Sequence, residues 1–164
     1  MRSLLIGCAW ALMAAAGTAQ VVDRVLARAD GQAILASDLR LARAIGLAGV
    51  GTADDDQAVL RQLVDRQLML AEVLRSQPAA PDAAARARAL EAFVTRAGGA
   101  AAAAAALRAS GVPQGYLERL ADEAAWLDAY TRQRFGADPS APARAAWVRD
   151  LRRRGRVECV VPAC

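Results

Sequence analysis

Two groups of carboxylates in this sequence could take part in chemistry. Asp54, Asp55 and Asp56 are consecutive, and Asp122 and Glu123 form a second acidic pair. The chain contains no histidine, so the Ser-His-Asp, Cys-His and histidine–metal arrangements of many enzymes cannot form. An aspartate run could hold a divalent cation weakly, but acids at a helix start are explained by the helix dipole. The residues therefore predict a protein that is not an enzyme, with no cofactor and no metal site.

Residues 1–19 have the pattern of a secretory signal peptide. Arg2 precedes an apolar run over residues 4–16, and the small residues Gly17 and Ala19 favour cleavage after Ala19. The run is short for a membrane span. A lipoprotein-type cleavage before Cys8 would leave seven residues ahead of it, which is too short for a signal. The pattern predicts export to the periplasm without stable membrane insertion.

Two cysteines would remain after cleavage, and an exported chain permits them to form a disulfide. Cys159 and Cys164 would lie ~16 Å apart in a straight strand, at ~3.3 Å per residue, beyond bridging reach. Pro162 could fold the tail back and bring the two sulfurs together. The alternatives are a buried Cys159 beside a free Cys164 thiol, or pairing of Cys164 between chains.

Basic residues are plentiful but do not predict nucleic-acid binding. The formal net charge is +4, and all 21 basic residues are arginine. The densest cluster, "RDLRRRGR" at residues 149–156, fits the last turn of a helix, where arginine complements the helix dipole. Acids are interleaved elsewhere, and exported proteins rarely meet nucleic acid.

The sequence predicts one domain, residues 20–164, that begins with a β-hairpin. Strands at 22–29 and 32–35 flank Asp30-Gly31, the pair typical of a type I′ turn. This turn would place Ala29 opposite Gln32, Ala27 opposite Ile34, and Leu26 opposite Leu35.

The remainder is mostly helical. Apolar residues recur at three- and four-residue spacing, and prolines and glycines interrupt them. The predicted helices are 37–46, 56–75, 82–97, 100–109, 113–135 and 142–154. Ser37 is the predicted N-cap of the first helix. The second has the strongest apolar stripe, formed by Leu60, Leu63, Val64, Leu68, Leu70, Val73 and Leu74.

A last strand at 156–161 shows the alternation of a half-buried strand. A lone hairpin is marginally stable, so this strand is predicted to pair with it and bring the two chain ends together. The sequence thus predicts a mostly α fold with a small β-sheet.

Four segments carry a resemblance to a known family. They are "VVDRVLARADGQAILASDLRLA", "VLRQLVDRQLMLAEVLR", "GVPQGYLERLADEAAWLDAYTRQRF" and "ARAAWVRDLRRRGRVECVV". In this order they resemble the N-terminal chaperone module of the SurA-like periplasmic chaperones, from the first hairpin to the C-terminal helix and strand. The resemblance implies the SurA N-terminal-like helical domain and binding of unfolded polypeptide without ATP.

The chain departs from the family at one place. SurA-like proteins carry parvulin-type prolyl isomerase domains before the C-terminal helix, whereas this chain has only "GADPSAP" there. The usual parvulin site also includes histidines, which are absent. Isomerase activity is therefore not expected.

A polypeptide-binding module would use apolar and aromatic side chains on its helices. The candidate contact residues are Met69, Phe93, Leu107, Tyr116, Trp126 and Tyr130. Each also fits core packing, because apolar helical stripes usually face the core.

The expected partners are unfolded exported or outer-membrane polypeptides. A non-catalytic envelope protein with one dedicated partner is the alternative function, and a homodimer on the same scaffold also stays open.

Overall fold

The computed structural model describes residues 23–47, 55–136, 141–162 and 164. The predicted signal peptide, Asp54 and the linker 137–140 lie outside these residues. The fold is mostly helical with one small antiparallel sheet, as predicted. Its elements are β1 (Val25–Ala29), β2 (Gln32–Leu35), α1 (Ala36–Ile45), α2 (Asp56–Arg75), α3 (Ala83–Arg96), α4 (Ala100–Ser110), α5 (Tyr116–Phe135), α6 (Ala141–Arg154) and β3 (Val157–Cys159).

The hairpin turn forms at the predicted residues. Asp30 and Gly31 have φ values of 47° and 85°, the positive φ at both positions that a type I′ turn requires. Ala29 pairs with Gln32 and Ala27 with Ile34, as predicted. The predicted pairing of Leu26 with Leu35 is wrong: Leu35 pairs with Val25, because β1 bulges between Val25 and Ala27.

The C-terminal strand joins the hairpin, as the pairing argument predicted. The strand order is β2-β1-β3, and Ala27 faces Cys159 while Ala29 faces Val157. The strand is shorter than the predicted 156–161. Beyond Cys159 the chain leaves the ladder, and both Val160 and Val161 donate to the Leu26 carbonyl.

Four helix starts differ from the prediction, those of α3 and α6 by a single residue. Helix α1 begins at Ala36 with Leu35 as its N-cap, and Ser37 is buried in the first turn. The Asp38 carboxylate accepts from the Leu35 N–H at 2.8 Å, which satisfies one donor at the helix start. Helix α5 begins at Tyr116 instead of residue 113, because Gly115 has φ 78°, a left-handed conformation that a helix cannot contain.

Helix α2 is the centre of the core. It packs against α1, α5, α6, β1 and β2. Phe93 of α3 and Trp147 and Leu151 of α6 are buried in the same cluster. Leu74 departs from its predicted place in the apolar stripe: it is 44% exposed near the end of the helix. None of the described helices carries an apolar stretch that could cross a bilayer.

Candidate functional site

The six predicted contact residues do not form one site. Met69 and Phe93 are core residues, exposed by only 7% and 1%. Leu107 packs partly buried against the core. The remaining three, Tyr116, Trp126 and Tyr130, line two clefts along α5.

The first cleft, here called the hairpin cleft, has a volume of about 550 Å³. Strand β2 and helices α1, α2 and α5 form its walls. Its apolar lining includes Ile34, Leu41, Leu63, Leu70, Leu74 and Leu120. The sheet positions this cleft because β2 is an edge strand, so one side of the hairpin is left beside the helices.

An ion pair joins α2 to α5 in the wall of the hairpin cleft. The Arg66 Nη1 donates to Glu123 Oε2 at 2.8 Å, and Arg66 is only 6% exposed. Its Nη2 has no hydrogen-bond partner among the described residues. Arg119 lies 4.0 Å from the same carboxylate group. Glu123 is thus mainly the partner of a buried arginine, and its contact with Arg119 is the longer of the two.

Tyr116 closes the α1 side of the hairpin cleft. Its hydroxyl donates to the Asp38 carboxylate, and the Arg119 guanidinium lies 4.2 Å from its ring centroid. Burial, and then the hydrogen bond to Asp38, raise the pKa of the Tyr116 hydroxyl above its ordinary value of 10.0. The hydroxyl is therefore a donor fixed in place at neutral pH and serves as a support for the wall.

The second cleft, here called the aromatic groove, has a volume of about 690 Å³. Residues 76–82, which connect α2 to α3, form one wall, and Trp126 and Tyr130 of α5 line the other. The Trp126 Nε1 donates to the Ala79 carbonyl at 2.9 Å. Tyr130 stacks on Trp147, with 5.7 Å between the ring centroids. The aromatic faces are therefore held rigidly at the groove.

The two clefts follow each other along the same pair of segments. On α5, Glu123 lines the hairpin cleft and Trp126 lines the aromatic groove; they are three residues, or ~4.5 Å, apart along the axis. On the other wall, Leu74 belongs to the first cleft and Ser76 to the second. Leu74, which is exposed, belongs to the lining of the hairpin cleft.

The described residues of the two acidic groups have structural partners. Asp55 is the N-cap of α2 and accepts from the Gln57 N–H at 2.9 Å. Asp56 pairs with Arg43, and Asp122 with Arg86. No group of three histidine, cysteine, aspartate or glutamate side chains lies close enough to bind a metal within the described parts of the chain.

Sequence reasoning missed several residues that line the clefts. Leu74 continues the apolar stripe of α2, which predicts burial, and the prolines Pro78 and Pro81 by themselves predict only an interruption between two helices. No pattern within α2 separates an exposed leucine from a buried one. The prolines gave one usable signal, because an extended segment beside an aromatic helix can form a groove wall.

The structure joins Cys159 and Cys164 in a disulfide, with their Cα atoms 5.7 Å apart. The turn at residues 160–162 brings the tail back, as the folded alternative required.

Comparison of the chain with protein-family models, with curated proteins and with solved structures finds no match.

Proposed function

We propose that this protein is an ATP-independent, chaperone-like module that holds unfolded polypeptides in the cell envelope, without isomerase activity. The observation that carries the proposal is the pair of consecutive clefts along α5, with exposed Leu74 in the lining of the hairpin cleft. The sequence resemblance to SurA-like chaperones supports it independently. Its clients would be exported or outer-membrane polypeptides.

The dimensions of the clefts suit an extended chain. Tyr116 and Arg134 mark the two ends of the lining on α5, and their separation along the axis is ~27 Å at 1.5 Å per residue. An extended polypeptide covers that distance with about eight residues at ~3.3 Å each. Binding would come from burial of apolar and aromatic side chains, which has little sequence preference.

The charges around the clefts favour an uncharged client segment. Arg66 is paired with Glu123, and the Asp38 carboxylate is occupied by Tyr116. The hydrogen bond from the Ala85 N–H to the Asp82 side chain lowers the pKa of that carboxyl below its ordinary value of 3.8. A charged client side chain would have to compete with these contacts and would lose part of its hydration in the cleft.

The test uses residues 20–164 and an outer-membrane protein unfolded in urea. The client is diluted into buffer with and without the module, and aggregation is followed by light scattering. We expect suppression near stoichiometric ratios, at least fivefold weaker for Leu74→Arg because a guanidinium would interrupt the apolar lining.

Val160→Arg is the matched control. Val160 is the more exposed residue, at 61%, and lines neither cleft, so this variant should hold clients normally. Equal loss in both variants would contradict the assignment to the clefts. No suppression by the unmodified module would contradict the holding function and favour one dedicated envelope partner, to be sought by pulldown.

A further inference from the structure

The free edge of strand β2 borders the hairpin cleft. Strand β1 covers only one of the two sides of β2. Three consecutive residues of β2, Gln32, Ala33 and Ile34, line the cleft. Successive side chains of a strand point to opposite faces of its sheet, so a cavity on one face would be lined by alternate residues. Lining by all three indicates that the cleft runs along the edge of the strand, beside its main chain.

The pairing of the strands determines which backbone groups face this edge. On β1, the Leu26 carbonyl and the Asp30 N–H bond to the β3 side, at 3.0 and 2.8 Å. Alternate residues of an antiparallel strand bond to the same neighbour, so Arg28 also bonds to the β3 side. Arg28 is the ladder partner of Ala33. That pair is therefore not hydrogen-bonded, and the N–H and C=O of Ala33 point away from β1.

The edge is open at Ala33 and closed on both sides of it. The Leu35 N–H is taken by the Asp38 carboxylate at 2.8 Å, and the chain turns back at Asp30-Gly31. Ala33 makes no loop or side-chain hydrogen bond within the described parts of the chain. Its side chain is small and exposed, so it leaves room for another strand. The edge thus offers one donor and one acceptor next to an apolar cleft.

These groups match the main chain of an extended polypeptide. A residue of an added antiparallel strand would exchange both bonds with Ala33. The Arg66 and Asp38 side chains of the lining are already paired, which favours an occupant without charge. A second copy of this chain would bring exposed Arg28 and Asp30 with its own β2. An uncharged client segment is therefore the better complement.

We propose that an uncharged, extended segment of a client polypeptide binds as a fourth, antiparallel strand on the free edge of β2. Its main chain bonds to Ala33, and its alternate side chains enter the apolar lining beside Ile34. This inference rests on the proposed holding function and specifies how the hairpin cleft takes its client. The main-chain bonds are the same for every client sequence, so they add affinity without adding sequence preference.

The probe is an uncharged peptide of eight residues, alternating serine and tyrosine, acetylated and amidated at its ends. Residues that pair across two strands have side chains on the same face. With the tyrosines in the cleft beside Ile34, the residue that bonds to Ala33 is therefore a serine. N-methylation of every serine should weaken binding to the full chain by about tenfold. N-methylation of every tyrosine changes the outer edge of the peptide and is the matched control, which should bind like the parent peptide.

Hydrogen exchange locates the added strand on the protein. A saturating concentration of the parent peptide should slow exchange of the Ala33 amide by about tenfold or more, because the amide becomes hydrogen-bonded. The Ile34 amide already faces β1 and should change little. Exchange is followed in the full chain by nuclear magnetic resonance.

Two variants test the same edge from the protein side. Ala33→Pro removes the outward N–H at an edge position where proline is tolerated, and it should bind the parent peptide about tenfold more weakly. Ala33→Val keeps the N–H and should bind like the parent chain. Thermal unfolding checks that both variants are folded. If Ala33→Pro unfolds, the two methylated peptides decide the question on the unmodified protein.

Equal binding of the two methylated peptides, or unchanged exchange at Ala33, would overturn the added strand. The holding function would still stand if the same preparation suppressed client aggregation. Loss of both peptide binding and suppression would contradict the holding function itself. Protection of Ala33 that rises with protein concentration in the absence of peptide would also overturn the proposal, because the occupant would then be a second copy of the chain.

Discussion

Tyr116 shows how a single polar side chain supports the wall of the hairpin cleft. Its hydroxyl bonds to Asp38 of α1, and its ring lies beneath Arg119 of α5. Asp38 also accepts from the Leu35 N–H at the start of α1. The cleft wall and the helix start therefore share one carboxylate. The sequence marked Tyr116 as a contact residue but could not reveal Asp38, which lies 78 residues away in the chain.

Tyr116→Phe should lower the free energy of unfolding at neutral pH by about 2 kcal/mol, the usual contribution of a hydrogen bond to a charged group. Burial and the hydrogen bond to Asp38 raise the pKa of the Tyr116 hydroxyl, which therefore stays protonated above pH 10 in the native state. The unfolded state ionises first, so stability is complete below pH 10 and falls as pH rises. The phenylalanine variant should lack this contribution to the loss of stability above pH 10. Urea unfolding between pH 7 and 11 measures both effects.

Tyr130→Phe is the control for this change. The Tyr130 ring stacks on Trp147, and phenylalanine keeps that contact. Its unfolding midpoint at neutral pH should stay close to that of the parent chain. If both phenylalanine variants lost the same stability, the Asp38 hydrogen bond would not be the cause.

At the scale of elements, the turn at Asp30 holds the three strands together. The Asp30 N–H donates to the Arg156 carbonyl at 2.8 Å, and its carboxylate accepts from the Arg156 N–H at 2.9 Å. The residue therefore closes the hairpin and also begins the pairing of β1 with β3. The turn residue type was predictable from the sequence. Its bond to Arg156 was not, because it joins two residues that lie 126 positions apart in the chain.

Asp30→Ala should destabilise the protein by about 2 kcal/mol. Alanine is strained at φ 47°, at a cost of about 1–2 kcal/mol, and the bond to the Arg156 N–H is lost. Asp30→Asn should be nearly neutral, since asparagine tolerates positive φ and its side-chain carbonyl can accept the same bond. Thermal unfolding of both variants measures their stabilities relative to the parent chain. An asparagine variant as unstable as the alanine one would assign the effect to the charge of Asp30.

At the scale of the molecule, α6 returns the C-terminus to the sheet. Trp147 anchors it, being 4% exposed and packed against the rings of Tyr130 and Phe135. Arg152 bonds to Asp65 of α2, and Arg154 bonds to Glu72. The hydrogen bond to Arg154 lowers the pKa of the Glu72 carboxyl below its ordinary value of 4.5. This apolar anchor and these two ion pairs hold α6 against α5 and α2, so that β3, which follows α6, can pair with β1.

Trp147→Ala should lower the free energy of unfolding by about 3–5 kcal/mol, the usual loss for a buried tryptophan. Trp126→Ala is the matched change in the aromatic groove and should lose about 1–2 kcal/mol while it weakens client holding. Guanidinium unfolding and light scattering of both variants separate the two roles. Normal holding by Trp126→Ala would exclude the aromatic groove from client binding.

The sequence by itself determined the elements that depend on local chemistry. Asp30-Gly31 predicts its turn because both residues tolerate positive φ, and α2 follows from apolar spacing that matches the helical period. The need of a hairpin for a partner was enough to predict its pairing with the last strand. Lack of histidine excluded the common catalytic arrangements without any structure.

Only the tertiary structure decided which apolar residues are buried and which line a cleft. Met69, Phe93 and Leu74 all fit helical stripes, yet the first two are core residues and Leu74 is exposed. The spacing of a stripe gives the direction of a side chain about its own helix, whereas burial depends on which other element packs there. The clefts arise from such packing, between residues that are far apart in the chain.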